Sequence, residues 1–530
     1  MKGSTTKTGN NGAAAVSFPL RVACVDMGSN AIRFIVAEFS TQDRYQVLAS
    51  ERRPVRLGHS VFLSGRLEPK AMDGAVAALE DFRRQMEQLG ADHRRVVATS
   101  AVRESKNGDA FVARILEETG LELEVISGSE EARLVHLAVA RRIPLGRRKW
   151  LLVDLGGGSV EVSLVDRRGI YWSESHTMGS VRLLEELTDA GADPGRFRRV
   201  LGEYVSVLRV PALKGRSRPA GYIATGGNIE ALAKLAGFAD EVGVIRVPVE
   251  TLRSVIEQLA RMSFRQRVED LGLRDDRADV ILPAAMVYER LAELAGASEI
   301  IVPGVGIKEG VLLDLVAGLA HRRDREDRQE REAEAGAVAI GRKYLFDEPH
   351  SKHVARLALS LFEQLRPLHG LDDDNRKILL AAALLHDMGQ FVSFKGHHKH
   401  SLYLISNSEL PGFSQREMLM VGNIARYHRK AHPAPHHHYF TVLPESDRER
   451  VTRLAAILRL ADALDREHRQ QIKGVTARVE NDELALWVDG TAGALLEGLS
   501  MRRKSNLFTK VFGLGVRLRF LGEEQPIGEG

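Results

Sequence analysis

One short unit occurs twice in this 530-residue chain and constrains its fold more than any other feature. Val22-Ala-Cys-Val-Asp26-Met-Gly28-Ser29-Asn30 reads as an apolar strand ending in an Asp-x-Gly turn, followed by a second strand at Phe34–Ala37. Leu151-Leu-Val-Asp154-Leu-Gly156-Gly157-Gly158-Ser159 repeats the pattern about 128 positions on and leads into Val160–Val165. Solenoid repeats recur every ~20–50 residues, so this spacing excludes one. It implies two related α/β domains facing each other. Strand patterns at Val96–Ala98, Leu121–Ile126, Tyr222–Ala224 and Ile300–Val302, with helical patterns such as Met72–Leu89 and Ala110–Glu118 between them, fit the same architecture.

The turns suggest phosphate chemistry. A glycine after a strand lets backbone amides approach phosphate oxygens, because no Cβ intrudes. Candidate phosphate contacts are Gly28, Ser29 and Asn30 in the first turn, and Gly156, Gly157, Gly158 and Ser159 in the second. A third turn, Ala224-Thr225-Gly226-Gly227-Asn228, follows a strand and precedes a helix. Asp26 and Asp154 stand at strand ends, where a carboxylate can hold a divalent cation directly or through water. One such turn signifies only a tight bend; three together could line one cleft.

Charge and composition exclude other classes. With 75 Lys and Arg against 71 Asp and Glu, the net charge of +4 is no nucleic-acid footprint, and no DNA partner is expected. The clusters Arg141, Arg142, Arg147, Arg148, Lys149 and Arg502, Arg503, Lys504, Lys510 suit either a solvated surface or a polyanion. A single cysteine, Cys24, in an apolar run allows neither an internal disulfide nor a cysteine metal site. No apolar run approaches the ~20 residues that span a bilayer, so no membrane partner is expected. Residues 1–17 read as a disordered lead-in without a signal-peptide core, and a cytoplasmic location is expected.

The boundaries follow from pattern changes: lobe I at 18–143, lobe II at 144–320, a helical domain at 321–470, and a small α/β module at 471–530. A mixed-charge run from His321 opens the helical part, and thirteen of the 18 histidines lie between His350 and His468. Strand patterns return at Val475–Val479, Leu484–Val488 and Val516–Phe520.

The turns resemble those of the actin, Hsp70 and sugar-kinase ATPase superfamily, whose lobes are ribonuclease H-like. Within it the chain is similar to the exopolyphosphatase and guanosine pentaphosphate phosphohydrolase family. The resemblance is carried by Asp26-Met-Gly-Ser-Asn30 with Arg33, Ala98-Thr-Ser-Ala-Val-Arg103 with Asn107, and Ile126-Ser-Gly-Ser-Glu130-Glu131-Ala-Arg133. It continues through Asp154-Leu-Gly-Gly-Gly-Ser159-Val-Glu161, Met178-Gly179-Ser-Val-Arg182, Thr225-Gly-Gly-Asn228 and Pro303-Gly304-Val-Gly306-Ile-Lys-Glu-Gly310. These run in the family's order across about residues 20–320. Two departures are Lys308 where Arg precedes Glu-Gly, which keeps charge but loses the bidentate fork, and Val160 where Thr is common.

The resemblance implies Glu131 as the base that orients attacking water, Glu161 as a second catalytic or Mg²⁺-linked carboxylate, and Arg103 as a phosphate-binding fork. The residues leave plainer readings open. Glu131 suits a first-turn acid at a helix N-terminus, Glu161 an exposed strand acid, and Arg103 a structural ion pair. Ser127 and Glu130 have capping-box spacing, which gives Glu130 a structural role. The implied cofactor is Mg²⁺ or Mn²⁺, the implied assembly a homodimer.

The second half resembles the longer members, which append a helical domain related to HD phosphohydrolases. His353, then His386-Asp387, then Asp462 supply the His, His-Asp, Asp metal set of that class, and each falls on an apolar helical face. A second divalent metal is therefore expected there, which His400 and His428 could widen to two. The expected substrate is inorganic polyphosphate, shortened from its ends. Three alternatives stand beside it: 5′-phosphate hydrolysis of pppGpp, metal-dependent nucleotide hydrolysis in the HD-like half, and a nucleotide-binding regulator without turnover.

Overall fold

The computed structural model describes residues 18–187, 194–210, 219–241, 243–320, 322–480, 482–489 and 495–520. The lead-in expected at 1–17 lies outside them. In the first lobe, β1 (Leu20–Met27), β2 (Ile32–Thr41), β3 (Arg44–Arg53), β4 (His93–Ala98) and β5 (Leu123–Val125) pair in the order β3-β2-β1-β4-β5. The first three form an antiparallel meander; β4 and β5 run parallel to β1.

The second lobe contains β6 (Trp150–Leu155), β7 (Val160–Asp166), β8 (Gly169–His176), β9 (Tyr222–Thr225), β10 (Phe238–Ala239), β11 (Ile245–Pro248) and β12 (Glu299–Val302). Within its seven strands, β8-β7-β6-β9-β12 repeats the order and senses of the first sheet. This duplicated plan is the ribonuclease H-like architecture of the actin and Hsp70 lobes. The repeated Asp-x-Gly unit is its first turn in each copy.

Two helices cross between the sheets. Gly128–Arg142 follows β5, yet Val135 and Val139 pack on Leu152, Val165 and Ile223 of the second sheet. Ile307–Ala320 follows β12, yet Val311, Leu312 and Val316 pack on Leu20, Val22 and Cys24 of the first. A boundary at 320 therefore assigns to lobe II a helix that packs on the sheet of lobe I. Cys24 is fully buried there. Glu130 forms only half a capping box. Its amide donates to Ser127 Oγ, while its carboxylate accepts from Arg133 at 2.7 and 2.8 Å.

The remainder is a helical body. Helices Glu348–Gln364, Asp374–Leu385, Gln415–Arg426 and Glu445–Ala463 bury Leu357, Leu379, Ile424 and Leu458 in one core. β13 (Gly474–Glu480), β14 (Glu483–Asp489) and β15 (Gly515–Phe520) form a three-stranded sheet beside it. The terminal segment expected as a separate module shares this core through Leu484, Leu486, Met501 and Phe508. Among the described residues no helix is long and apolar enough to cross a membrane.

The crossing generates a stability prediction. A Cβ at Gly310 would lie 2.0 Å from the Leu134 carbonyl oxygen, and backbone cannot yield cheaply. Gly310→Ala is expected to cost about 1–3 kcal/mol, read as a lowered denaturant midpoint, with lost turnover where the fold survives.

Candidate active site

The two Asp-x-Gly turns meet face to face. Each follows the first strand of its sheet, at the edge where the parallel neighbours β4 and β9 also end. Open α/β sheets gather ligands at such carboxyl ends. A Cβ on Gly157 would stand 2.9 Å from the Ser29 Cβ, so the turns touch across the lobes. Asn30 Nδ2 donates to the Asp276 carbonyl at 2.9 Å, Arg52 pairs with Asp276, and Arg56 reaches Asp279 at 2.6 Å. The lobes thus close around a cleft of about 450 Å³.

Asp26, Gly28, Ser29, Asn30, Glu131, Asp154, Gly156, Gly157, Ser159, Gly226 and Gly227 line this cleft. Three other expected residues stand behind its wall. A Cβ on Gly158 would lie 2.4 Å from both the Phe62 ring and Ser100 Oγ, so this glycine serves packing. Glu161 accepts from Ser175 Oγ at 2.9 Å, and Arg103 donates to Glu131 Oε1 at 2.7 Å and to the Ile126 carbonyl at 2.6 Å. Gly226 needs its lack of a side chain: φ is +101°, and a Cβ would sit 2.8 Å from the Leu155 carbonyl oxygen.

Four buried carboxylates converge here: Asp26, Glu131, Asp154 and Glu161. Asp26 and Arg33 are cross-strand partners joined at 3.0 Å; Asp154 and Glu161 are cross-strand partners on β6 and β7. Burial pushes the Glu131 carboxyl up to about 7; Arg103 pulls it down, and Asp154 and Asp26 push it further up. Burial likewise raises Asp154, and Glu161 still more, where Glu131 and Asp154 add repulsion. Asp26 Oδ1 and Glu161 Oε2 are buried without a hydrogen-bond partner. A cluster of this charge, with oxygens left unpartnered, fits a hard divalent cation.

Sequence reasoning missed the opposite wall. Arg52, Arg274 and Arg277 line the cleft beside Arg33. Burial drives the Arg277 guanidinium down to about 10, and Arg33 and Arg52 add like-charge repulsion. Its partner is the amide oxygen of Asn228, and its Nε is buried without one. These arginines come from no glycine turn. Their one local signal is Arg274-Asp-Asp-Arg277, a charge cluster at the foot of the apolar helix Ile281–Ala295.

The helical body holds a second cluster. His350, His386 and Asp462 offer atoms within 4.8 Å of one another, as do Asp387, His397 and His428. Each imidazole is held by its Nδ1: His350 on Asp465 at 2.8 Å, and His386, His397 and His428 on the carbonyls of Ala383, Phe394 and Ala425. That turns Nε2 inward, the orientation of metal-binding histidines. Nε2 of His350 and of His386 are buried without a hydrogen-bond partner. His353 is not brought in; its Nδ1 accepts from Arg356 at 3.2 Å. Three residues further along the helix it sits ~4.5 Å on and ~60° round. His350 was the better choice from spacing, since it shares its face with Val354, Leu357 and Leu361, all fully buried. The structure brings His428 into the cluster, and beside it His397 rather than His400. Lys504, read as part of a surface patch, pairs with Asp462.

Two ribonuclease H-like lobes that close glycine turns and paired carboxylates on a cleft define a phosphate-handling protein of the actin-like kind. The chain belongs to the Ppx/GppA phosphatase family, whose model matches residues 35–318, with that of Ppx/GppA phosphatase domain III matching 333–497. It is a hydrolase of phosphoanhydride bonds. A guanosine-5′-triphosphate,3′-diphosphate pyrophosphatase of Vibrio vulnificus is 27% identical over 478 residues, covering 88% of this chain and 91% of its own. An exopolyphosphatase of Cytophaga hutchinsonii is 26% identical, with a TM-score of 0.48 over 56% of this chain and 98% of its own. A family member from Aquifex aeolicus is 25% identical, with a TM-score of 0.48 over 57% and 99%.

The electrostatics predict a titration. In the metal-free protein the Glu131 carboxyl is expected to ionise near pH 7. Arg103 stabilises its charged form, so Arg103→Leu is expected to move that ionisation upward. Carboxyl-carbon NMR of the two proteins checks both; an unshifted resonance in the variant contradicts the coupling.

Proposed function

We propose that this protein releases orthophosphate from the ends of inorganic polyphosphate. The observation that carries the reading is Glu131, a buried carboxyl poised near neutrality on the wall of a cleft formed by opposed glycine turns. Hydrolysis of a phosphoanhydride needs charge neutralisation, in-line geometry and a positioned water. The amides and hydroxyls of Gly28, Ser29 and Asn30 and of Gly156, Gly157 and Ser159 hold the terminal phosphate from both sides. Glu131 orients the attacking water and accepts its proton, and Arg103 fixes the Glu131 carboxylate at 2.7 Å. Glu161 supports this acid from behind and shares its charge. Asp26 and Asp154 would hold a bound Mg²⁺ or Mn²⁺, which would supply charge neutralisation. Arg33, Arg52, Arg274 and Arg277 take the following phosphates, since guanidinium groups match phosphate oxygens rather than base edges.

A second reading is 5′-phosphate hydrolysis of pppGpp. The Vibrio vulnificus relative is named for that activity and aligns with 88% of this chain. Phosphate release from long polyphosphate, pppGpp and ATP by the wild type and by Glu131→Gln distinguishes the two. Polyphosphate is expected to be the best substrate, and Glu131→Gln to lose about 10²–10⁴-fold in kcat on it. An unimpaired Glu131→Gln rejects the assignment of the base.

The helical cluster is read as a divalent-metal site related to HD phosphohydrolases, separate from turnover. Metal analysis of the purified chain is expected to show bound divalent ion that His386→Ala loses, while phosphate release from polyphosphate persists. Loss of that release with the metal would move the chemistry to the helical body.

A further inference from the structure

The hairpin formed by helices His397–Ser406 and Gln415–Arg426 touches the lobes at the first turn of Gly128–Arg142. The Glu409 carboxylate accepts from the Ser129 amide at 3.0 Å and lies over Gly128, where a Cβ would come within 3.3 Å of it. Three residues on, the Gly412 amide donates to Glu130 Oε2 at 3.1 Å. Glu131 follows directly, so the loop grips the two residues that precede it.

A helix leaves its first amides without intrahelical acceptors. Here Ser127 Oγ serves the Glu130 amide, and Glu409 serves that of Ser129. Capping oxygens at such positions hold the first turn against fraying, and a negative charge there is favoured by the helix dipole. The same charge also acts on Arg103, whose guanidinium binds Glu131; Glu409 is one of the acids that raise its pKa against the burial that lowers it. One side chain of the helical body thus bears on both members of the Arg103–Glu131 pair.

We propose that Glu409 is a positioning residue of the cleft: by capping the Ser129 amide it holds Glu131 and Arg103 in register, which makes the helical body part of the active site. The inference rests on the reading of Glu131 as the base. Glu409 is itself exposed, so its replacement leaves both cores intact. Small displacements of a catalytic group lower kcat without altering substrate binding.

The test uses the full chain, long-chain polyphosphate as substrate, and hydrogen exchange across residues 127–131. Glu409→Ala is expected to lower kcat about five- to tenfold at unchanged KM and to speed exchange in that segment. Glu409→Gln keeps an acceptor oxygen and is expected to stay within about twofold of wild type. Glu332→Gln is the docking control: Glu332 lies 3.7 Å from Arg133 on the same helix, away from its first turn. It is expected to change neither kcat nor exchange. A Glu409→Ala protein at the wild-type rate overturns the proposal, as does a Glu409→Gln protein no better than the alanine variant, or a Glu332→Gln protein equally slowed. An active Glu131→Gln would instead remove the base itself; an inactive Glu131→Gln beside a full-rate Glu409→Ala removes only this inference.

Discussion

Where helix Gly128–Arg142 crosses helix Ile307–Ala320, the backbone of Gly310 lies directly on that of Leu134. Each helix covers the sheet of the other lobe, so the crossing is the point through which the lobes are registered. Leu134 stands three residues from Glu131, less than one turn, and Lys308 and Glu309 of the partner helix line the cleft. A change in the crossing distance therefore moves the acid and the cleft wall together. Beside it, Arg133 binds Glu130 with two bonds and Asp314 at 3.0 Å, and Arg95 binds Asp314 at 3.0 Å. Breaking a buried network of this kind by removing one partner costs about 3–5 kcal/mol, so the junction is held by charge as well as by close packing.

The cleft is frustrated in two opposite senses. On one wall burial pushes Glu131, Asp154 and Glu161 toward their neutral forms. On the other, burial and like neighbours weaken Arg277. A protein selected for stability alone would pair all of these groups, since an unpaired buried charge is costly. Here Arg33–Asp26 and Arg103–Glu131 are paired, while Glu161 Oε2 and Arg277 Nε are buried without a partner. That remainder fits a ligand that carries both signs: a metal cation against the carboxylates and phosphate oxygens against the guanidinium groups. Local strain of this kind collects at functional sites and is carried by the scaffold around them.

Much of this was legible in the sequence because it depends on local pattern. Asp26 and Asp154 mark strand ends, and the glycines after them mark turns; both properties are set within a few residues. Glu131 was singled out by the family resemblance, with Ser127 accounting for Glu130 as a capping position, and the structure puts its side chain on the cleft wall. Gly158 was misread because its role is contact with Phe62, from a helix about 95 residues earlier. Arg277 was missed for the same reason: its setting is built by Arg33, Arg52 and Asn228 from three other segments. His353 was taken for the HD-like set and His350 was not considered, although the i, i+4, i+7 and i+11 positions from His350 are the fully buried face. The return of helix Ile307–Ala320 to lobe I left no mark at all, for its apolar residues would suit either sheet.

The two charged sites differ in how they are compensated, and that difference bears on which one depends on a ligand. In the helical body Lys504 sits on Asp462, His350 on Asp465, and His397 lies 3.1 Å from Asp387. Asp387 and Asp462 are held below the usual carboxylate range: burial works against their charge, but His386 and, for Asp462, first of all Lys504 outweigh it. Their charges are stabilised by the protein itself. In the cleft Glu131, Asp154 and Glu161 shift the other way, because burial outweighs what Arg33 and Arg103 offset. A cation entering the helical cluster must compete with the Lys504 ammonium, whereas one entering the cleft relieves repulsion already present. Binding free energy is therefore larger, for the same ion and similar ligands, at the site whose empty form is electrostatically worse. That ordering favours the cleft as the centre that a divalent cation completes, whereas the charges of the helical cluster are already offset by its own side chains.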